Sequence, residues 1–279
     1  MQRKLLIVRN SASRAGLTLI ELVVVLTILA ALATLLIPRL TGITDRTSTA
    51  SSAAILQEVS STEGRFEAQF SKIPTSWDGV VTSAGALYTK LNPKLIGDID
   101  GKGTTVTAGT LTATQAQSLI DAGMTGVHYQ DEAWTGSPSD SGRTYGGIAD
   151  GAKVAILQLP TTTVTGATFG AIGHNVLFSD KAFSIHPYTG LWNNTFIVVG
   201  FGNESSLKRN SAQDTPLFAS SDPSKYYSRA LCVFMVPPSS VTATTDSAYF
   251  KARYIGCFAP DGTCLMDNLN AVNRSQTPN

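Results

Sequence analysis

Glu21 sits near the start of an otherwise apolar run, GLTLIELVVVLTILAALATLLIP, extending from Gly16 to Pro38. Between Leu17 and Ile37 the other polar side chains are Thr18, Thr27 and Thr34. At ~1.5 Å per residue this run makes roughly 30 Å of helix, the thickness of a bilayer's hydrocarbon core. A carboxylate in such surroundings costs on the order of 2.5–3.5 kcal/mol on insertion scales, which marks the position as functional. The chemistry open to it is charge pairing, because a partner cation offsets much of that cost.

The remaining reactive residues form no catalytic constellation. Cys232, Cys257 and Cys264 are an odd set. Cys257 and Cys264 are close enough to close a small disulfide loop over FAPDGT, and the alternative is three reduced, buried thiols. Asp98 and Asp100 in GDIDGKG open like a calcium loop, but Lys102 takes a ligand position and Gly109 replaces the closing glutamate, so a tight glycine turn is expected. His128, His174 and His186 are scattered, with no metal-ligand spacing. GFG at Gly200–Gly202 lacks the third glycine of a dinucleotide fingerprint, and there is no nucleophile elbow or phosphate loop. No enzyme is expected.

Several elements position Glu21. Residues 1–16 carry Arg3, Lys4, Arg9 and Arg14 and no acid. Small residues Ala15 and Gly16 precede the apolar run, the reverse of a general secretory signal. Basic charge before the run predicts that this end stays cytoplasmic. After Pro38, Ile55, Val59, Thr62, Phe66 and Phe70 recur on one helical face, with Ser51, Gln57, Glu58, Glu63 and Glu67 on the others. Pro74 ends the helix.

These residues resemble the leader and N-terminal helix of type IV pilins and type II secretion pseudopilins. Gly16 stands where the prepilin peptidase cuts, Leu17 becomes the N-methylated first residue, and Glu21 is the fifth residue of the mature chain. Pro38 occupies a position where many family members carry proline. The resemblance covers roughly residues 1–70. Ala15 and Leu17 depart mildly from the family pattern, which has a basic residue before the glycine and commonly Phe after it. The resemblance implies that Glu21 pairs with the amine of a neighbouring subunit's Leu17. It also implies a single-pass protein of the bacterial inner membrane with a periplasmic head, periplasmic or extracellular once in a filament. Implied partners are prepilin peptidase, other pilin or pseudopilin subunits and an inner-membrane assembly platform. Some pseudopilins bind calcium near the C-terminal end, which makes Asp261, Asp267 and Asn268 candidate ligands against the simpler reading of an Asp-Gly turn. Otherwise no cofactor is implied.

The expected fold is α+β. A leader (1–16) precedes a long helix (17–72), transmembrane over about 17–37 and amphipathic thereafter, which packs on a mainly antiparallel β-rich head (73–279). Abundant Thr, Ser and Gly with few charges favour strands and loops there. Expected strands are Gly126–Gln130, Lys153–Leu159, His174–Phe178, Thr195–Phe201, Ala230–Val236 and Tyr249–Phe258, with a capped helix at Thr114–Ala122. Without the leader's four bases, acids outnumber bases, which argues against nucleic-acid binding by the body. The expected function is a pilin-like filament subunit. The alternatives are a minor pilin with a binding head at a tip, or an anchored enzyme or sensor domain.

Overall fold

A computed structural model describes residues 19–97, 99, 104–131, 143–158, 161–164, 167–170, 194–210, 215–218 and 221–264, with side chains at all of these except 35–45, 161–164, 167–170 and 209. The chain divides into two units, Met1–Asp45 and Arg46–Asn279. Helix α1 runs over Leu19–Phe70. In the first unit its described side chains, residues 19–34, are exposed throughout. The two threonines there bond back to the helix: the Thr27 hydroxyl donates to the Val24 carbonyl (2.8 Å) and that of Thr34 to the Ala30 carbonyl (2.9 Å). Their polarity is thus satisfied within the helix.

In the second unit α1 buries Ala53, Leu56, Val59, Thr62, Glu63 and Phe66. The buried stripe is rotated from the expected one. Ile55 is half-buried, Phe70 is exposed, and Glu63, expected on a solvated face, is fully buried. The helix ends because Ser71 takes a left-handed conformation (φ 53°) and its N–H donates to the Glu67 carbonyl (2.8 Å). This is a C-terminal cap position that favours glycine. Ser71→Gly should therefore raise stability, by about 0.5–1 kcal/mol, in a denaturant titration of the folded chain.

Among the described residues the head forms one eight-stranded sheet and a separate hairpin. Its strands in chain order are β1 (Trp77–Gly79), β2 (Thr105–Thr110), β3 (Gly126–Tyr129), β4 (Thr144–Gly147) and β5 (Lys153–Gln158). The hairpin of β6 (Thr161–Val164) and β7 (Ala167–Gly170) follows, then β8 (Thr195–Gly200), β9 (Leu231–Val236) and β10 (Arg253–Phe258). The main path is β10-β9-β8-β1-β3-β4. β9 lies along the whole of one edge of β8. The other edge is shared: Ile197 and Val198 pair with β5, while Val199 and Gly200 pair with β1. The sheet forks there, and β5 carries β2 on its far side. Pairings are antiparallel except β1 with β3.

β8 and β9 read FIVVG and LCVFMV because they are buried on both faces. Trp77, Phe201 and Phe234 meet at the centre, with the Trp77 ring 5.4 Å from that of Phe234 and 6.0 Å from that of Phe201. Helix α2 (Pro93–Gly97), α3 (Ala113–Ala122) and α4 (Ser206–Asn210) complete the described elements. α3 carries a full capping box, Thr112 with Gln115, and ends at Gly123 (φ 115°). At the β3/β4 rim, aromatics lie over glycines. Tyr129 covers Gly146 and Tyr145 covers Gly126, and a Cβ at either glycine would strike the ring.

The expected architecture needs correction. Among the described residues no helix is long and apolar enough to cross a membrane. The transmembrane first half and the single-pass inner-membrane location do not stand. The head is likewise not a sheet laid along one long helix. It is a forked, mixed sheet with several short helices, and α1 shares its compact unit only from Arg46 onward.

Candidate assembly site

The exposed half of α1 is apolar all round. Leu19 is 82% exposed and Ile20 71%, and Leu22, Val23, Val24, Val25, Leu26, Ile28, Leu29 and Leu32 are each about half exposed. A surface helix normally shows one apolar stripe, and a helix apolar on every side belongs in an enclosed setting. Glu21 lies in the first turn of this helix, where its negative charge suits the positive end of the helix dipole. The described helix thus presents a broad apolar cylinder with one carboxylate at its start. Gly16 and Leu17 lie outside the described residues, and Pro38 falls within the bounds of α1 with its side chain outside them.

The head holds an ionic cluster that sequence reasoning missed. Asp78, at the middle of β1, is fully buried. Arg143 Nη1 donates to its Oδ1 (3.1 Å), Tyr227 donates its hydroxyl to Oδ2 (2.9 Å), and Arg229 Nη1 lies 3.6 Å from Oδ2. Burial holds the Asp78 carboxyl above the usual carboxylate range, although the two guanidiniums, the Tyr227 hydroxyl and His128 pull it down. Burial also drives the Tyr227 phenol far above its usual range, helped by the Asp78 charge.

Two glycines make room for these groups. A Cβ at Gly202 would overlap the Asp78 carboxylate, and one at Gly200 would overlap the Tyr227 hydroxyl. The GFG triplet is therefore explained by close side-chain approach rather than by a phosphate loop. It was the signal that could have exposed the cluster. Every charged member is enclosed, so the cluster ties β1 to the start of β4 and to the segment before β9.

The other candidates are resolved individually. Asp261 Oδ1 accepts from the Thr263 N–H (3.0 Å) and hydroxyl (2.7 Å), with Gly262 at φ 84°, an Asp-Gly turn. Asp267 and Asn268 lie outside the described residues, and among those residues no group of acids, histidines and cysteines is placed to hold a metal. The Ile99 N–H donates to the Thr104 carbonyl (2.8 Å), while Asp98, the residues from Asp100 to Gly103 and with them the expected glycine turn lie outside the described residues. His128 packs against Tyr145, with ring centroids 5.2 Å apart. His174 and His186 lie outside. The three cysteines are buried thiols, and Cys257 is not bridged to Cys264.

One surface pair carries a pH signature. The Tyr249 hydroxyl donates to Asp121 Oδ2 (2.5 Å), and Gln117 donates to Oδ1 (2.6 Å). These bonds lower the Asp121 carboxyl, the Tyr249 bond most, while burial and Asp121 push Tyr249 up to about 12. The folded phenol holds its proton more tightly than an unfolded one. Its contribution is complete below the unfolded value of about 10 and is lost as pH rises through about 12. A spectrophotometric titration should show a tyrosine step near pH 12, and Tyr249→Phe should remove that step. Because the pair is exposed, the cost in stability at neutral pH should stay under about 1 kcal/mol.

No protein-family model, curated protein or solved structure matches this chain.

Proposed function

We propose that the chain is a pilin-like structural subunit that assembles with copies of itself, or with related subunits, through the first half of α1. One observation supports the reading: an all-round apolar helix, exposed in the single chain, with one carboxylate in its first turn. Fully burying a Leu, Ile or Val side chain contributes about 1.5–3 kcal/mol, so packing such helices together supplies the driving force. Because every side is apolar, the helix is suited to several neighbours rather than to one. Glu21 sets the register by pairing with the amine of a neighbouring Leu17, which exists only after a peptidase removes residues 1–16. The sequence resemblance assigns that peptidase to the prepilin class.

N-terminal mass spectrometry of the protein from its native host tests the proposal. A chain that begins at methylated Leu17 and co-purifies in filaments supports it. A chain that retains Met1 and is recovered only as a monomer overturns it.

A further inference from the structure

The head contains a pair of thiols in a position to form a bond, and it is not the pair that sequence spacing favours. Cys232 in β9 and Cys257 in β10 are direct register partners in an antiparallel ladder. Such partners point to the same face of a sheet, with Cβ atoms about 4.5–5.5 Å apart. A disulfide needs Cβ atoms about 3.5–4.5 Å apart, a shift that adjacent strands can absorb. Both thiols face α1. Cys257 Sγ donates to the Leu56 carbonyl (3.4 Å) and lies 3.4 Å from the Ser60 hydroxyl. Cys232 is pushed well above the usual thiol range by burial, and further by Cys257 and by Glu63 of α1.

Cys264 is placed differently. It forms a β-bridge with Phe258, the residue after Cys257. Side chains alternate along a strand, so Phe258 and its partner Cys264 occupy the face opposite to Cys257. Closing the short loop over FAPDGT would require the strand to flip a residue.

We infer that Cys232 and Cys257 form a cross-strand disulfide when the chain folds in the presence of a disulfide oxidant, and that Cys264 remains a thiol. One cysteine thiolate attacks a sulfur of the oxidant RSSR, giving a mixed disulfide and expelling RS⁻. The second thiolate attacks the protein sulfur of that mixed disulfide and expels the other RS⁻. Two electrons pass from the cysteines to the oxidant, and the two thiol protons end on two RSH. Both sulfurs are buried in the finished fold, so the exchange takes place before β10 closes on β9 under α1. The product clips the last two strands of the sheet together.

The test uses the full chain, unfolded and reduced, then refolded in detergent with glutathione and glutathione disulfide. Remaining thiols are alkylated and the protein is digested without reduction. Mass spectrometry should find the Cys232–Cys257 peptide pair in at least about tenfold excess over Cys257–Cys264, as the ladder geometry requires. Cys264→Ser should give the same yield of that pair. A lower unfolding midpoint on adding reductant to the oxidised protein would agree. A predominant Cys257–Cys264 link, or complete alkylation of all three thiols after oxidative refolding, would overturn the inference.

Discussion

Glu21→Ala should lower the amount of subunit incorporated into filaments by at least an order of magnitude while leaving the head intact. The argument is electrostatic. In a bundle of apolar helices, a carboxylate and an amine each lose their water, and each is tolerable only beside the other. Removing the carboxylate leaves a neighbour's amine buried and unpaired, at a cost of about 3–5 kcal/mol if the site is fully enclosed. Each 1.4 kcal/mol is roughly tenfold in an equilibrium, so even a partial penalty is decisive. Glu21→Gln, which keeps the shape and removes the charge, should fail nearly as badly. Quantifying subunit in sheared filaments against total cell content reads the effect. The unfolding midpoint of the head is the control, because Glu21 and the head belong to separate units. Normal incorporation of both variants would remove Glu21 from the assembly mechanism. By contrast, Leu29→Ala trims an exposed apolar side chain and should weaken assembly only modestly, because many similar contacts remain.

Asp78→Ala should be the most damaging single change within the head. Its carboxylate is the shared partner of Arg143 and Arg229, both with side chains less than a tenth exposed, and it accepts the Tyr227 hydroxyl. Without it two guanidiniums remain enclosed and lose the carboxylate that both of them face. Breaking a buried pair in this way costs about 3–5 kcal/mol, a large part of the stability of an ordinary domain. Denaturant titration should show the midpoint falling sharply. A triple variant that replaces Asp78, Arg143 and Arg229 with apolar residues of similar size should recover much of the loss, because the desolvation cost vanishes with the charges. Gly202→Ala should also destabilise, since its Cβ would occupy the space of the Asp78 carboxylate. An Asp78→Ala head as stable as the parent would mean that the cluster contributes nothing net.

Elements with strong local patterns were legible before the structure. β5, β8, β9 and α3 fall within a residue or two of the ranges read from apolar runs and capping residues. β10 is shorter than its expected range, starting at Arg253 rather than Tyr249. The short β3 was also legible, as Gly126–Gln130, but β1, β2 and β4 were not. β1 has three residues and β4 reads TYGG, and both exist because a neighbouring strand pairs with them. Glu63 shows the same limit on α1. A glutamate at that spacing reads as solvated, yet the tertiary fold encloses it.

The local run alone determined that residues near the N-terminus form an apolar helix with one carboxylate at its start. Composition there is extreme, and helix formation depends on near neighbours. The tertiary structure decided which charges are buried and which cysteines face each other. Asp78, Arg143 and Arg229 are far apart in sequence and meet only in the folded head. The sequence places Cys257 nearest to Cys264, whereas strand register sets it opposite Cys232. Pairing of that kind is set by hydrogen bonds between distant strands, and a one-residue shift reverses every face.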